Sequence, residues 1–534
     1  MRILSVIPAA EGLNTLPNRN LRVICGKPLI CYAINNAKES IYINDIIVTS
    51  NSDEILVIAE QMGGVKCYKR PEALCGIDIP LERVIDDVRN IVDIDSYDYV
   101  VTMQSISPTL TTSTLDKAIG MCINEGIDTM ISVLPQKRYL WNEHCNKPVQ
   151  LNPQRVSKYD LEPFYIETGA FFISRPKYIT ERSRIGGEIK LFHLDPKEAI
   201  DVMSFGNLKE AEFVLSQKKI AFFVNGNNII GMGHIHRALM LADEFFIRPV
   251  FFYDENLTDR AMFGNTAYEL QGIKDNEELI HKLSEVQCGI LINDTLNTSA
   301  DLMKEIRDSI PEIKIINFED DGEGAKYADI VINALYDKAV DEKWKTGADY
   351  YIAPKLYLLQ QPIYIKERVK DILITFGGAD PCDYTSELVK IAESKEYSDF
   401  NFHIVIGPAY RKRDQLKSDK KNVFFYRDLD SLIDIMNKCD IAISSRGRTG
   451  FELAICGLPT ICLAENEREE RHDFLSEKNG YVYLGLRPTL KVINVAIRKM
   501  IYSSQNERRS IQKKMQQKDL KRGREKVIEL INSL

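Results

Sequence analysis

The stretch KIAFFVNGNNIIGMGHIHRALMLADEFF, residues 219–246, decides how the chain is read. Lys219 to Val224 form a short, mostly apolar run, the mark of a buried strand. Ala238 to Phe246 carry helical spacing. Between them, Ile229-Ile230-Gly231-Met232-Gly233-His234-Ile235-His236-Arg237 is a glycine turn leading into that helix. Strand, glycine turn and helix make the unit from which parallel sheets are built. Gly231 and Gly233 would let the backbone approach a ligand closely, and unpaired N–H groups at a helix start favour an anion such as a pyrophosphate. On local grounds alone, a tight turn with a helix-terminal histidine reads equally well. In the functional reading His234 is the candidate base, Arg237 lies on the same helical side three residues on, and His236 is a helix-face residue.

Outward from this unit the same alternation recurs. Ile3 to Pro8, Asp45 to Ser50, Tyr99 to Gln104 and Thr129 to Leu134 read as strands, and Leu29 to Lys38, Ser52 to Met62, Leu81 to Val92 and Ser113 to Asn124 as helices. Residues 166–173 read as a strand closing the first domain. A helix from Asn207 to Gln217 then runs into Lys219, which sets a boundary near residue 218. Beyond it, the strand Asp371 to Thr375 restarts the rhythm after Ile365, followed by Phe402 to Ile406, Val423 to Tyr426 and Ile441 to Ser444. The expected class is α/β, with a Rossmann-like first domain over 1–218 and two similar lobes over 219–365 and 366–534. The basic stretch from Ile511 to Leu534 reads as a helix with a solvated face or a dimer contact, so a homo-oligomer is a candidate state.

A length of 534 residues exceeds one hydrophobic core and suggests about three compact units. The formal net charge of −8 argues against nucleic acid as a partner. Eleven cysteines without a Cys-x-x-Cys pair fit reduced thiols and a cytoplasmic setting. No apolar run reaches the roughly 18 residues of a membrane span, and Ile3 to Ala10 is a first strand instead of a signal segment.

Several blocks of the second half occur in an order that resembles a known family. They are Gly231-Met232-Gly233-His234 with Arg237, Leu291-Ile292-Asn293-Asp294, Phe318-Glu319-Asp320-Asp321, Ala328 to Asn333, Phe376-Gly377-Gly378-Ala379-Asp380, and Ser444 to Glu469 with Ser444-Ser445-Arg446-Gly447-Arg448-Thr449-Gly450-Phe451-Glu452-Leu453 inside it. Together they resemble the PseG-type UDP-sugar hydrolases of pseudaminic acid biosynthesis and the SpsG-like polysaccharide proteins, over about Lys219 to Leu486. The resemblance implies a two-lobed, MurG-like GT-B fold. It further implies that His234 is the base, that Glu452 accepts ribose hydroxyls, and that backbone amides from Ser445 through Arg448 to Thr449, with those around Gly377 and Gly378, approach the diphosphate. Asn466 and Glu467 join the nucleotide-binding set. No cofactor is implied for this half. The family's Arg and Asp shortly before the glycine turn are replaced here by Phe223 and Asn225.

The first half resembles the acylneuraminate cytidylyltransferases, the CMP-sialic acid synthetase family, in Ile7 to Leu21 with Gly26-Lys27-Pro28-Leu29-Ile30, Ser50 to Ile55, Lys69-Arg70-Pro71-Glu72, Gln104 to Pro108, Glu167 to Phe171, and Ile200-Asp201. That implies a GT-A-like nucleotidyltransferase fold. Arg19, Asn20, Lys27, Arg70 and Gln104 become candidate nucleotide or sugar contacts, Asp201 a metal ligand, and CTP, a nonulosonic acid and Mg²⁺ the ligands if the domain is active. Four elements depart from the pattern. The family's Arg-Gly-Gly-Ser-Lys loop is Ala10-Glu11-Gly12-Leu13-Asn14, Thr109 or Leu110 replaces an arginine, Leu81 falls near a serine, and the Asp-x-Asp metal motif reads Asp201-Val202-Met203. All remove charge or polarity where an anionic triphosphate and a metal would meet. The expectation is a nucleotide-sugar enzyme of nonulosonic acid or surface polysaccharide biosynthesis that hydrolyses a UDP-sugar, with weakened cytidylyltransferase chemistry. A GT-B glycosyltransferase and a nucleotide-sugar-binding scaffold are the alternatives.

Overall fold

The computed structural model describes residues 1–11, 16–76, 78–144, 147–152, 154–227, 232–336, 339–427, 429 and 431–534. The chain divides into two compact units, Met1–Gln217 and Lys218–Leu534.

The first unit is built on a seven-stranded sheet in the order Ile189–His193, Thr129–Gln136, Phe164–Ser174, Tyr99–Met103, Ile3–Ala9, Asp45–Ser50 and Lys66–Lys69. Phe164–Ser174 does not close this sheet. It runs antiparallel between Tyr99–Met103 and Thr129–Gln136. The edge on that side is Ile189–His193, whose mostly exposed residues give the sequence no apolar run to mark it. The expected helix from Leu81 to Val92 shortens to Leu81–Asp86 followed by a 3-10 turn, Asp87–Asn90. Helix Thr112–Glu125 starts where Thr111 accepts a hydrogen bond from the Thr114 amide and stops at Gly126, whose φ of 71° suits glycine.

The second unit holds two parallel sheets of the same design. The first orders its strands Glu269–Ile273, Val250–Asp254, Ile220–Val224, Ile290–Asp294, Lys314–Phe318, Ile330–Asn333 and Trp344–Thr346. The second runs Val423–Tyr426, Asn401–Val405, Asp371–Thr375, Ile441–Ser445, Thr460–Ala464 and Val482–Leu486. In each, the strand order reverses beside the first strand in sequence, so two switch points arise: between Ile220–Val224 and Ile290–Asp294, and between Asp371–Thr375 and Ile441–Ser445. Ligands of open α/β sheets bind in the crevice at such points.

The C-terminal segment departs from a single solvated helix. It breaks into Gln505–Met515 and Gly523–Asn532. Gly523 opens the second helix against the Tyr351 backbone, where a Cβ would lie 2.1 Å from the carbonyl oxygen. Val527 and Ile531, four residues apart on one face, enter the core formed with Ile220, Phe222 and Ile235. The last helix of the expected 366–534 lobe therefore packs on the first lobe. Arg508 is buried and donates to the carbonyls of Lys366 and Glu367 at 2.8 and 2.9 Å. Among the described residues, no helix is long and apolar enough to cross a membrane.

Candidate functional site

At the first switch point, strand Ile220–Val224 is followed by helix Gly233–Ala242, which begins beside the end of strand Ile290–Asp294. Gly231 lies outside the described residues. Val224 and Asp294 are partners in register, so the first turn of the helix brings His234 over the Asp294 carboxylate. Both side chains are buried, with His234 Nδ1 2.5 Å from Asp294 Oδ1. Arg237, one turn on, donates to the same carboxylate through Nε at 2.7 Å and Nη2 at 2.5 Å. Its Nη1 donates to Glu319, and its guanidinium lies 4.9 Å from the centroid of the Phe318 ring. Glu319 directly follows strand Lys314–Phe318, and its φ of 52° is left-handed, a conformation non-glycine residues keep where the surroundings demand it.

Burial alone would raise the Asp294 carboxyl, but the Arg237 and His234 charges outweigh it and hold the group below the usual carboxylate range. The same contest leaves Glu319 well below its ordinary value, with Arg237 and then Arg448 supplying the charge. With Asp294 ionised, Nδ1 of His234 is the donor in their contact, so the neutral ring carries its lone pair on Nε2.

The second switch point contributes from the other sheet. Gly377 has a φ of 68°, and no atom lies within 4 Å of a Cβ placed on Gly377 or Gly378. This loop presents bare backbone. Ser445 ends its strand buried, and Thr449 opens helix Thr449–Cys456. Arg448, just before that helix, reaches Glu319 with Nη2 at 2.7 Å. Gly233 makes room for it, since a Cβ at that position would lie 2.3 Å from Arg448 Nη1. Sequence reasoning assigned the glycine to ligand approach; here its missing side chain admits an arginine.

Glu452, on the next turn from Arg448, accepts from the Tyr357 hydroxyl at 3.1 Å. Burial pushes its carboxyl up to about 7, opposed by that hydrogen bond. A raised carboxyl stabilises the fold while protonated, and this contribution is lost as the pH rises through about 7. If Glu452 accepts ribose hydroxyls, only its carboxylate does so fully. UDP is then expected to bind more tightly from about pH 6 to about pH 8, and Glu452→Gln to flatten that profile. Calorimetry across this window checks it, and a flat wild-type profile removes the ribose role.

Asn466 and Glu467 do not join the His234–Glu319 cluster. Asn466 caps helix Glu467–Glu470 by accepting from the Glu469 amide at 2.9 Å, and Glu467 is exposed. Asn466 also lines a hollow of about 760 Å³ with Tyr384, Glu465 and Arg487. The residue of this segment that reaches Glu319 is Arg468, Nη2 to Oε2 at 3.7 Å. Sequence reasoning assigned no role to Asp294, Glu319 or Arg468. The available signal was a carboxylate closing or following two apolar strands, Ile290–Asp294 and Lys314–Phe318.

In the first unit, Asn20 is committed to structure: Nδ2 donates to the Ala10 carbonyl at 2.7 Å, and Oδ1 accepts from Ser105 at 2.5 Å. Lys27 is exposed. Arg70 is buried, donates to the Thr49 carbonyl at 3.1 Å, and has no partner for Nε among the described residues. Gln104 packs against Gly169, where a Cβ would lie 2.8 Å from its amide group. Burial pushes Asp201 up to about 6 despite the Arg19 charge, and Oδ1 lacks a partner among the described residues. Arg19 Nη1 lies 2.7 Å from Met203 Sδ. One carboxylate, a thioether and a neighbouring guanidinium are a poor match for Mg²⁺, which takes oxygen ligands. Of the departing loop, residues 12–15 lie outside the described residues. Glu11 is exposed, its amide donating to Asn51 Oδ1 at 2.8 Å.

Comparison with known proteins follows this division. The sequence model described as Cytidylyltransferase matches residues 5–220. An uncharacterized protein of Methanocaldococcus jannaschii is 31% identical over 48% of this chain, and the chain spans 58% of its length. The CMP-N,N'-diacetyllegionaminic acid synthase of Legionella pneumophila is 30% identical over 35% of this chain and 84% of its own. The Helicobacter pylori protein named pseudaminic acid cytidylyltransferase and UDP-2,4-diacetamido-2,4,6-trideoxy-beta-L-altropyranose hydrolase is 21% identical over 89% of this chain and 91% of its own.

Proposed function

The chain belongs to the cytidylyltransferase family through its N-terminal residues, and on that footing we propose that it is a cytoplasmic nucleotide-sugar enzyme of nonulosonic acid or surface polysaccharide biosynthesis whose second unit hydrolyses a UDP-sugar. The observation that carries this reading is the buried His234–Asp294 pair, 2.5 Å apart at the switch point of the first sheet, joined through Arg237 and Glu319 to Arg448 of the second. Likeness to a Helicobacter pylori protein named for both activities, along nearly the whole of each chain, supports it.

In the proposed reaction a water oxygen attacks the anomeric carbon while Nε2 of His234 accepts the water proton. The bond from that carbon to the phosphate oxygen breaks, and its electron pair leaves on UDP. Asp294 holds the ring in the tautomer that leaves Nε2 able to accept, and balances the imidazolium that forms. Because a nucleoside diphosphate is already a good leaving group, a second catalytic carboxylate is dispensable. Stabilising the departing negative charge is what counts. Following free UDP after incubation with UDP-hexosamine derivatives tests the reading, and binding of UDP without release of sugar from any of them would sink it.

For the first unit we infer a retained nucleotidyltransferase fold with weakened synthesis. Asp201 alone offers an oxygen where the family offers two, and Asn20 is spent on Ala10 and Ser105. Full-length protein mixed with CTP, Mg²⁺ and a panel of nonulosonic acids is expected to release little or no pyrophosphate. Robust release would show that the remaining polar groups suffice.

A further inference from the structure

Three guanidiniums meet the carboxylate of Glu319. Arg237 takes Oε1, Arg448 takes Oε2 at 2.7 Å, and Arg468 lies 3.7 Å from Oε2. The two sides of this carboxylate differ in access. The Arg237 side chain is 8% exposed and that of Glu319 2%, whereas those of Arg448 and Arg468 keep 26% and 37%. The Arg237 side is closed by packing, while Arg448 and Arg468, the latter also donating to the Tyr336 hydroxyl at 3.2 Å, are partly exposed.

Charge points the same way. Arg471 Nη2 lies 3.2 Å from Asp321 Oδ2, so Arg237, Arg448, Arg468 and Arg471 face Asp294, Glu319 and Asp321, and one positive charge is left over among these groups. Glu319 is held well below the usual carboxylate range, so it stays ionised near neutral pH as the resident anion of these arginines. Guanidiniums pair with phosphate as readily as with carboxylate, by the same forked geometry.

Position along the second sheet's helix orders the contacts. Glu452, the candidate ribose acceptor, lies one turn from Arg448, and a turn rises about 5.4 Å. From Glu319, Arg237 and Asp294 lead on to His234. A nucleotide-sugar laid from Glu452 toward His234 passes its ribose first, then its α-phosphate, then the β-phosphate next to the carbon that reacts.

We propose that Arg448 and Arg468 are the ligands of the β-phosphate, and that Glu319 Oε2 holds their place until a diphosphate exchanges for it. This rests on the reading of the second unit as a nucleotide-sugar site and names the group that selects a diphosphate over a monophosphate. The same two arginines then carry the negative charge of the leaving UDP. Glu319 keeps Arg237 through Oε1, so the His234–Asp294 geometry survives the exchange.

The test is calorimetric titration of the full chain with uridine, UMP and UDP. Wild type is expected to bind UDP more tightly than UMP. Arg448→Gln should lose about 10- to 100-fold for UDP, the loss of one charge-assisted contact, with uridine and UMP unchanged. Arg448→Lys should recover part of the loss, Arg468→Gln should lose less because its contact is longer, and Glu319→Gln should bind UDP more tightly because the resident anion is gone. Uridine binding reports that each variant is folded. Equal weakening of all three ligands in Arg448→Gln would overturn the proposal by giving the arginine a structural role. UDP binding left intact in Arg448→Gln would overturn the proposal alone. If wild type takes up neither uridine nor UDP, the nucleotide reading of the cleft falls and the proposal falls with it.

Discussion

Replacing His234 by Asn should lower UDP release from a UDP-sugar by about 100- to 10,000-fold, the range lost with a general base, while UDP binding is retained. The separation follows from position. His234 lies at the end of the chain of contacts that leads away from Arg448 and Glu452, so it faces the sugar end of the ligand in the proposed pose. An amide side chain preserves a polar group beside Asp294 but accepts no proton at neutral pH. Asp294→Asn should also cut turnover, because an amide no longer fixes which ring nitrogen carries the hydrogen. Single-turnover rates beside equilibrium UDP binding check both. Wild-type turnover in His234→Asn would remove the imidazole from the chemistry.

The largest structural effect is expected at Arg237. Its guanidinium is buried between Asp294 and Glu319 and balances both. Arg237→Met leaves two ionised carboxylates without their shared cation, and breaking a buried pair in this way costs about 3–5 kcal/mol. The pH dependence has a defined sign. Asp294 and Glu319 both lie below their ordinary values, so their contribution to wild-type stability is present at neutral pH and is lost as the pH falls through those lowered values. In the variant burial is opposed only by Arg448 and Arg468 at Glu319 and by His234 at Asp294, so the carboxyls gain protons more easily than in wild type and acidification to about pH 5 should narrow the gap. Urea unfolding at two pH values measures this. An unchanged midpoint at neutral pH would mean that the network contributes nothing net.

Much of the architecture was legible because it is local. Runs such as Ile220–Val224, Asp371–Thr375 and Ile441–Ser445 announce strands by their composition, and the glycines at 377 and 378 announce a turn. What failed had weak local signals. Ile189–His193 is mostly exposed at an edge, and the partner of Gly523, the Tyr351 backbone, is far away in sequence.

The sequence by itself determined that sheets of αβ units recur three times and that a histidine follows a closely spaced pair of glycines. Strand periodicity and turn chemistry are written in neighbouring residues, so they need no knowledge of what packs on them. The tertiary structure alone decided what that histidine is attached to. Asp294 is 60 residues from His234, Glu319 is 82 from Arg237, and Arg448 is 129 from Glu319. Strand order at two switch points and the fit of an arginine against a residue without a side chain bring them together, and neither leaves a period in the chain.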